Sequence, residues 1–306
     1  MVMHLLEGGM KRVLVVGAGI HGLVTAAREH LAKNQVFILE KRKKIGGRGT
    51  SEESHGHHLE HGPHLLLKGG ELHTMIKKVS RVKPSLRPLR PNKVMIVGHG
   101  MLQPLDNPKQ MLALKLGNDP IREKAIRLVS GWGQDIPERR KALMKGRLCV
   151  VGEGWAGLVG RLASTLEEVG VPIQTGIKVE EISDKGVVTS KGLKIEADVV
   201  RMCDGSPVGK PVKVSTLDVV LDNQPLKGLH GLVKDDIALI NLAAIHPLKA
   251  RGMSHFSCIA LTGGVAAIEE LLDERVSGWR SHIVTMRSNN TITLTDSRGH
   301  LSDGVI

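Results

Sequence analysis

Arg12-Val-Leu-Val-Val-Gly-Ala-Gly-Ile-His-Gly22 is the stretch whose reading decides the fold. Val13 to Val16 is a short, unbroken apolar run, the pattern of a strand buried on both faces of a parallel sheet. Gly17, Gly19 and Gly22 then form GxGxxG at a strand-to-helix turn. The first glycine permits the tight turn, the second lets backbone approach a pyrophosphate, and the third lets the helix pack close to the strand. That helix starts near Ile20, so its free N–H groups and positive dipole end would face phosphate. A second apolar run, Val36 to Leu39, ends in Glu40, 23 residues after Gly17. This is close to the offset of roughly 20 residues expected for the acid that bonds a ribose hydroxyl. An acid there favours an unphosphorylated ribose, hence FAD or NAD rather than NADP. GxGxxG alone also fits a glycine-rich turn in some other α/β protein; the strand, helix and acid around it give it specificity.

The runs GAGIHGLVTAA (17–27), LEKRKKIGGR (39–48) and LEHGPH (59–64) together resemble the N-terminal signature of the FAD-dependent amine oxidase and phytoene desaturase superfamily. The resemblance implies an α/β fold in which a Rossmann-like FAD-binding domain carries an inserted, shortened α+β substrate domain. It places Gly17, Ala18, Gly19, Ile20, Gly22, Glu40, Lys41 and Arg42 on the cofactor. It also lays Gly46, Gly47 and Arg48 against the flavin dinucleotide and brings Gly62, Pro63 and His64 near the isoalloxazine. The second glycine pair distinguishes FAD from NAD, and the Arg48 guanidinium has the fork of donors that suits phosphate. Further on, GVPIQTGIKVEEI (170–182) resembles the family's return to its FAD domain, with Val179 touching the adenine side through backbone groups. Read without the resemblance, Val179 is an edge-strand residue with no ligand.

At 306 residues, 41% hydrophobic and 24% charged, the chain suits a globular protein of about two domains. No apolar run reaches the roughly 18 residues of a membrane span. Residues 1–10 lack the pattern of a secretory signal. Cys149, Cys203 and Cys258 are far apart and form no CxxC, which argues against disulfides or zinc and fits a reducing cytoplasm. With no Tyr, 2 Phe and 3 Trp, few aromatics are on hand to pack against a flavin. The net charge of +12 is localised: residues 76–147 hold 17 Lys and Arg against 5 Asp and Glu. That is a solvated surface, or a basic face for anionic lipid or an acidic partner. His55, His57, His58, His61 and His64 crowd into ten residues, but their spacing matches no standard zinc pattern. They read as a polar strand and loop with no metal.

Further signals divide the chain. Helices are predicted over Glu71–Val79, from Asn118-Asp119-Pro120 onward, from Pro137, after Gly152-Glu153-Gly154-Trp155, and over Val265–Leu272. Pro84, Pro88 and Pro91 force an extended segment. Strands are predicted at Leu148–Val151, Ile177–Ile182, Ala197–Cys203, Lys213–Leu221 and Ile237–Leu242. The expected division is 1–67, 147–211 and 284–306 for the FAD-binding domain, with 68–146 and 212–283 for the substrate cover. The closing runs HPLKARGMSH (246–255) and GWRSHIVTMR (278–287) resemble phytoene-desaturase-like oxidoreductases more loosely. Relatives end in a Gly-Asp segment and a glycine-rich helix start; here Asp303-Gly304 lies too near the end, so the closing half of the flavin site is not visible.

No acid or base stands out as catalytic, which a flavin enzyme tolerates because the cofactor accepts the hydride. The reading is an FAD-dependent oxidoreductase that dehydrogenates or isomerises an apolar isoprenoid-type substrate. The alternatives are an amine oxidase, a non-catalytic flavin-binding or interaction subunit, and an NAD enzyme that would leave Gly46-Gly47-Arg48 without a role. Expected partners are a small apolar substrate, an anionic membrane surface and a second copy of the chain, with no nucleic acid. The expected location is the cytoplasm, peripheral to a membrane.

Overall fold

The structure, a computed structural model, describes residues 10–79, 83–98, 101–106, 119–183, 185–203, 208–249 and 252–296. Asp303-Gly304 and residue 118 lie outside these. By contacts the chain divides into one compact unit of Met1–Gly47, Met75–Arg81 and Val159–Gly205, and another of Arg48–Thr74, Val82–Leu158 and Ser206–Ile306.

The first unit is built on β1 (Arg12–Val16), α1 (Ile20–Leu31) and β2 (Gln35–Glu40). Its parallel four-stranded sheet runs Ile173–Thr175, β2, β1, Val199–Met202. Val13 to Val16 are all buried, as an unbroken apolar run inside a parallel sheet requires. In α1 the buried face is Ile20, Gly22, Leu23, Val24, Ala26 and Ala27, while Leu31 is exposed. The core stripe of α1 therefore ends at Ala27, one turn before Leu31. Leu14, Val16 and Leu39 share a core with Val187 and Ala197, which belong to or adjoin the antiparallel sheet Val179–Ser183, Gly186–Thr189, Lys194–Glu196. Burying each such aliphatic side chain stabilises by about 1.5–3 kcal/mol.

The second unit has a seven-stranded mixed sheet. Its order is Ile283–Asp296, Val208–Leu221, Ser254–Ala260, Ile237–Asn241, Gly231–Lys234, Val94–Gly98, Met101–Pro104. Only the Gly231–Lys234 and Val94–Gly98 pair is parallel. Both faces are covered, and the period-two alternation shows how. Val233, Ala238, Ile240 and Ile259 pack with helices Pro120–Gly131 and Pro137–Met144. Their neighbours Leu232, Leu239, Cys258 and Ala260 pack with Ile268 and Leu272 of helix Gly264–Arg275. A smaller antiparallel sheet places Leu148–Val151 between Leu66–Leu67 and Leu86–Pro88.

This division differs from the expected domain boundaries. Residues 48–67, 147–158 and 284–296 pack with the second unit. The reason is hydrogen bonding: Ile283–Asp296 pairs along Val208–Leu221, and Leu148–Val151 pairs with Leu66–Leu67 and Leu86–Pro88. Residues 75–79 of the helix Glu71–Val79 go instead with the first unit. The strands predicted as Ile177–Ile182 and Ala197–Cys203 are observed as Val179–Ser183 and Val199–Met202.

Two of the basic residues in 76–147 are interior struts. Arg122 lies at the start of its helix, 1% exposed, on Asp119 Oδ2 at 3.0 Å and the Leu105 carbonyl at 2.6 Å. Arg139 is equally buried and donates to the Ser130 and Leu65 carbonyls. A planar guanidinium can satisfy several carbonyls at once, so its charge here serves packing.

The third glycine of the motif has a sharp steric test. A Cβ at Gly22 would lie 1.7 Å from the Gly17 carbonyl oxygen. Gly22→Ala is expected to destabilise by about 3 kcal/mol or more, read as a lowered urea midpoint for the first unit; an unchanged midpoint would refute this packing.

Candidate functional site

In the first unit, the β1-to-α1 turn and the segment after β2 form one glycine-lined cradle. Gly17 takes φ +108°, a conformation closed to other residues without strain, and donates its N–H to the Leu39 carbonyl at 2.7 Å. Glu40 is buried and accepts from the Ala18 N–H through Oε2 and from the Arg42 N–H through Oε1, each at 2.8 Å. Each carboxylate oxygen has a second lone-pair site, so acceptor capacity remains for a hydroxyl. Lys41 and Arg42 are exposed beside it. The Gly176 N–H bonds the Arg42 carbonyl and the Ile177 N–H the Glu40 carbonyl. This brings the approach to Val179 against the end of β2; Val179 itself is half-buried at the edge of the same core.

The two glycine loops touch. Gly46 donates to the Ala18 carbonyl at 2.8 Å, and Gly19 and Gly46 form an isolated parallel bridge. A Cβ on Gly47, where φ is +58°, would come 3.5 Å from the Gly19 Cα. Gly46-Gly47 therefore closes over the first loop by backbone, and the left-handed φ of Gly47 is what favours glycine there. Gly19 is itself open: an added Cβ would meet nothing nearer than the Gly47 Cα at 4.0 Å. Ile20 begins α1 with no side-chain cap and no acid in its first turn, leaving its N–H groups and dipole for an anionic ligand.

In the second unit, Arg48 donates from Nη1 to the Thr293 carbonyl at 2.9 Å, and burial lowers its guanidinium pKa. Gly62 takes φ +89°, and His64 Nδ1 bonds the Gly62 carbonyl at 2.8 Å, closing the Gly-Pro-His turn. Pro63 and His64 are buried. Beneath the turn sits Glu60, which the sequence reading passed over. Its Oε1 accepts from Lys249 Nζ at 2.8 Å and from the Trp155 N–H at 2.9 Å, and its Oε2 lies 3.5 Å from His64 Nδ1. The Glu60 N–H bonds Asp218 Oδ2 at 2.7 Å. Burial alone would raise the Glu60 carboxyl, but Lys249 and His64 outweigh it and hold it well below the usual carboxylate range. The His64 and Trp155 rings lie 5.3 Å apart, tilted by 46°. Gly154, at φ +74°, is forced small: a Cβ would lie 2.6 Å from Glu60 Oε1.

No spacing rule reaches Lys249, 189 residues from Glu60. The sequence signal available for Glu60 was its place among the histidines of residues 55–64, a stretch read as a polar strand and loop. Of the histidines around it, His57 lies on a short hairpin strand and His64 in the turn. Among the described residues no group of three or more His, Cys, Asp or Glu is arranged to hold a metal. Burial pushes the Cys149 thiol up to about 11 and raises Cys258 as well, leaving both unreactive.

Residues 15–79 match the family model of the NAD(P)-binding Rossmann-like domain. The β1–α1–β2 part of this segment is Rossmann-like in fold. A phytoene desaturase from Fusarium fujikuroi is 47% identical over 57 residues, 19% of this chain and 10% of the relative. The match thus spans about a tenth of that relative's length. Across nearly the whole chain the fold is that of an oxidoreductase from Methanosarcina mazei, with TM-score 0.67 and 18% identity, covering 91% of this chain and 88% of the other. Cyclohexylamine oxidase from Brevibacterium oxydans aligns with TM-score 0.60 and 11% identity over 92% and 85%. The α/β class with its Rossmann-like domain is therefore as the sequence indicated.

Breaking the buried pair should be severe. Glu60→Gln leaves Lys249 charged without a partner and is expected to cost about 3–5 kcal/mol at neutral pH, measured by denaturant unfolding. A carboxyl with a depressed folded pKa stabilises above its unfolded value of about 4.3 and loses that contribution as pH falls below it. The gap between wild type and variant should accordingly narrow below about pH 4; a gap independent of pH would contradict the ion pair.

Proposed function

We propose that the chain is an FAD-dependent oxidoreductase of the phytoene desaturase type, dehydrogenating or isomerising an apolar isoprenoid-type substrate. The observation that carries this reading is the closure of the second glycine loop on the first, Gly46 N–H to Ala18 carbonyl. A lone dinucleotide turn has no need of that loop. The residues fit the cofactor: the uncapped start of α1 and the open face of Gly19 suit a pyrophosphate, and Glu40 suits a ribose diol. Val179 and the exposed Lys41 and Arg42 would serve the adenine end, and Arg48 with Gly62, Pro63 and His64 the flavin end. FAD, when bound, supplies the hydride acceptor. The protein's own part is to neutralise and orient phosphate, hold the ribose, and keep the turn at His64 rigid through Glu60 and Lys249. The isoprenoid branch is favoured by the desaturase relative; the amine branch is favoured by the fold of cyclohexylamine oxidase.

Titration of flavin-free protein with FAD, followed by flavin fluorescence, tests the reading. Saturable binding that NADH does not displace is expected, with bleaching of the bound flavin by an isoprenoid polyene precursor rather than by alkyl amines. Gly19→Ala should weaken FAD binding at least tenfold (about 1.4 kcal/mol) without lowering the unfolding midpoint, since its Cβ meets no protein atom closer than 4.0 Å. Glu40→Gln should weaken binding and also destabilise, because an amide N–H₂ would face a backbone N–H. Unaltered FAD affinity in both variants would sink the assignment.

A further inference from the structure

His55, His57 and His58 all lie on one small hairpin of the second unit. Its strands Glu52–Ser54 and His57–Leu59 pair antiparallel, Glu52 opposite Leu59, Glu53 opposite His58 and Ser54 opposite His57. The two-residue loop His55-Gly56 has positive φ at both positions, 52° and 74°, the geometry that joins two twisted strands tightly. The hairpin is fastened to the large sheet at its far end. Leu59 is 1% exposed and packs on Val220, with Ala243, Met253 and Val284 alongside. The next residue, Glu60, donates its N–H to Asp218. His57 is half-buried, whereas His55 and His58 are exposed.

The sheet beneath this end is polar where a sheet core is ordinarily apolar. Val220 pairs with His255 and Asp218 with Ser257, so these side chains share one face. Asp218, His255 and Ser257 are all buried. One oxygen of Asp218 accepts from the Ser257 hydroxyl and the other from the Glu60 N–H. His255 Nε2 lies 3.5 Å from that second oxygen, and among the described residues neither ring nitrogen of His255 is in a hydrogen bond. Strand alternation puts His57 on the same side as Leu59, toward His255. Burial lowers the His57 pKa first, and the charges of His255, His55 and His58 lower it further.

The other charged groups packed around the hairpin have partners of their own. Glu52 lies 3.5 Å from Arg287 Nε, and Arg287 also donates to His61 Nε2. Glu60 is engaged by Lys249 and His64. Glu53 is exposed beside His58, on the opposite side of the hairpin from Leu59. Asp218 is thus the carboxylate that faces His57 and His255 together. It can balance a proton on one ring, but a second proton sets two imidazolium ions against one carboxylate in a site shut off from water. Holding the hairpin down against that repulsion are one buried aliphatic side chain, Leu59, and the Glu60 N–H bond. We propose that the hairpin Glu52–Leu59 is an acid-released flap: protonation of His57 while His255 carries a proton lifts it from the sheet and frees the Glu60 N–H from Asp218. A histidine that is neutral in the closed state stabilises closure above the ordinary imidazole value of about 6.5, and that contribution is lost as pH falls below it. Release therefore begins below about pH 6.5, well above the pH of about 4 below which the Glu60 pair weakens. The proposal is independent of the redox reading.

Hydrogen–deuterium exchange of the whole chain, corrected for the intrinsic exchange rate at each pH, tests it. Between about pH 7.5 and about pH 5.5 the amides of residues 52–60 are expected to lose protection by about tenfold or more. Those of β1 and of the strand Ile237–Asn241 should keep theirs. His57→Gln removes the charge that drives release and should keep the hairpin protected at the lower pH. His255→Gln should do the same from the sheet side, which provides a second arm should either variant fold poorly. His58→Gln, on the exposed side, is the control and should open as wild type does. Equal protection of the wild-type hairpin at both pH values would overturn the assignment. So would release in the His57 and His255 variants as large as in wild type, or a loss of protection spread over the whole second unit.

Discussion

A carboxylate without water must be given partners by the protein, and Glu60 shows what that demands. Its two oxygens and its own N–H together engage Lys249, the first turn at Trp155, the His64 ring and Asp218. These come from four separate parts of the chain, so none can shift without leaving a buried charge unsatisfied. Gly154 is glycine because the carboxylate occupies the space a Cβ would need. The Gly-Pro-His turn is held from beneath by the same group. Such a pair adds little net stability over a hydrophobic substitute, yet it fixes the register of everything it touches.

Glycine plays the complementary part in the first unit. There the constraint is approach rather than charge: Gly22 against the Gly17 carbonyl, and Gly46-Gly47 against Gly19. The first contact excludes a side chain outright, and the second is made by backbone alone. Glu40 then spends one hydrogen bond on each loop, through Ala18 and Arg42, and so sets the width of the cradle.

Those local features were legible in the sequence because their physics is local. Unbroken apolar runs, glycine spacing and the acid that ends β2 are all read within one short stretch, and two of the helices announced themselves through Pro120 and Pro137. What could not be read was determined by pairing across long separations. The edge of the large sheet is Ile283–Asp296 because it finds Val208–Leu221, and no local signal states that preference over a return to the other unit. Lys249 reads as one more surface lysine until the fold buries it against Glu60. The charge of residues 76–147 misled in the same way: composition counts Arg122 and Arg139 as surface, whereas the carbonyls they satisfy are assembled only in three dimensions.

The scarcity of aromatic residues has an optical consequence. With no Tyr, the near-ultraviolet emission of the polypeptide comes from its 3 Trp alone. Trp132, Trp155 and Trp279 are 4%, 1% and 2% exposed and all belong to the second unit, Trp155 at the very start of its helix. Emission from the folded chain should therefore be blue and shielded from aqueous quenchers, and it should report melting of the second unit while staying silent on the Rossmann-like one. Paired with far-ultraviolet dichroism, which sees both, it offers a native means of telling whether the two units lose structure together or one after the other.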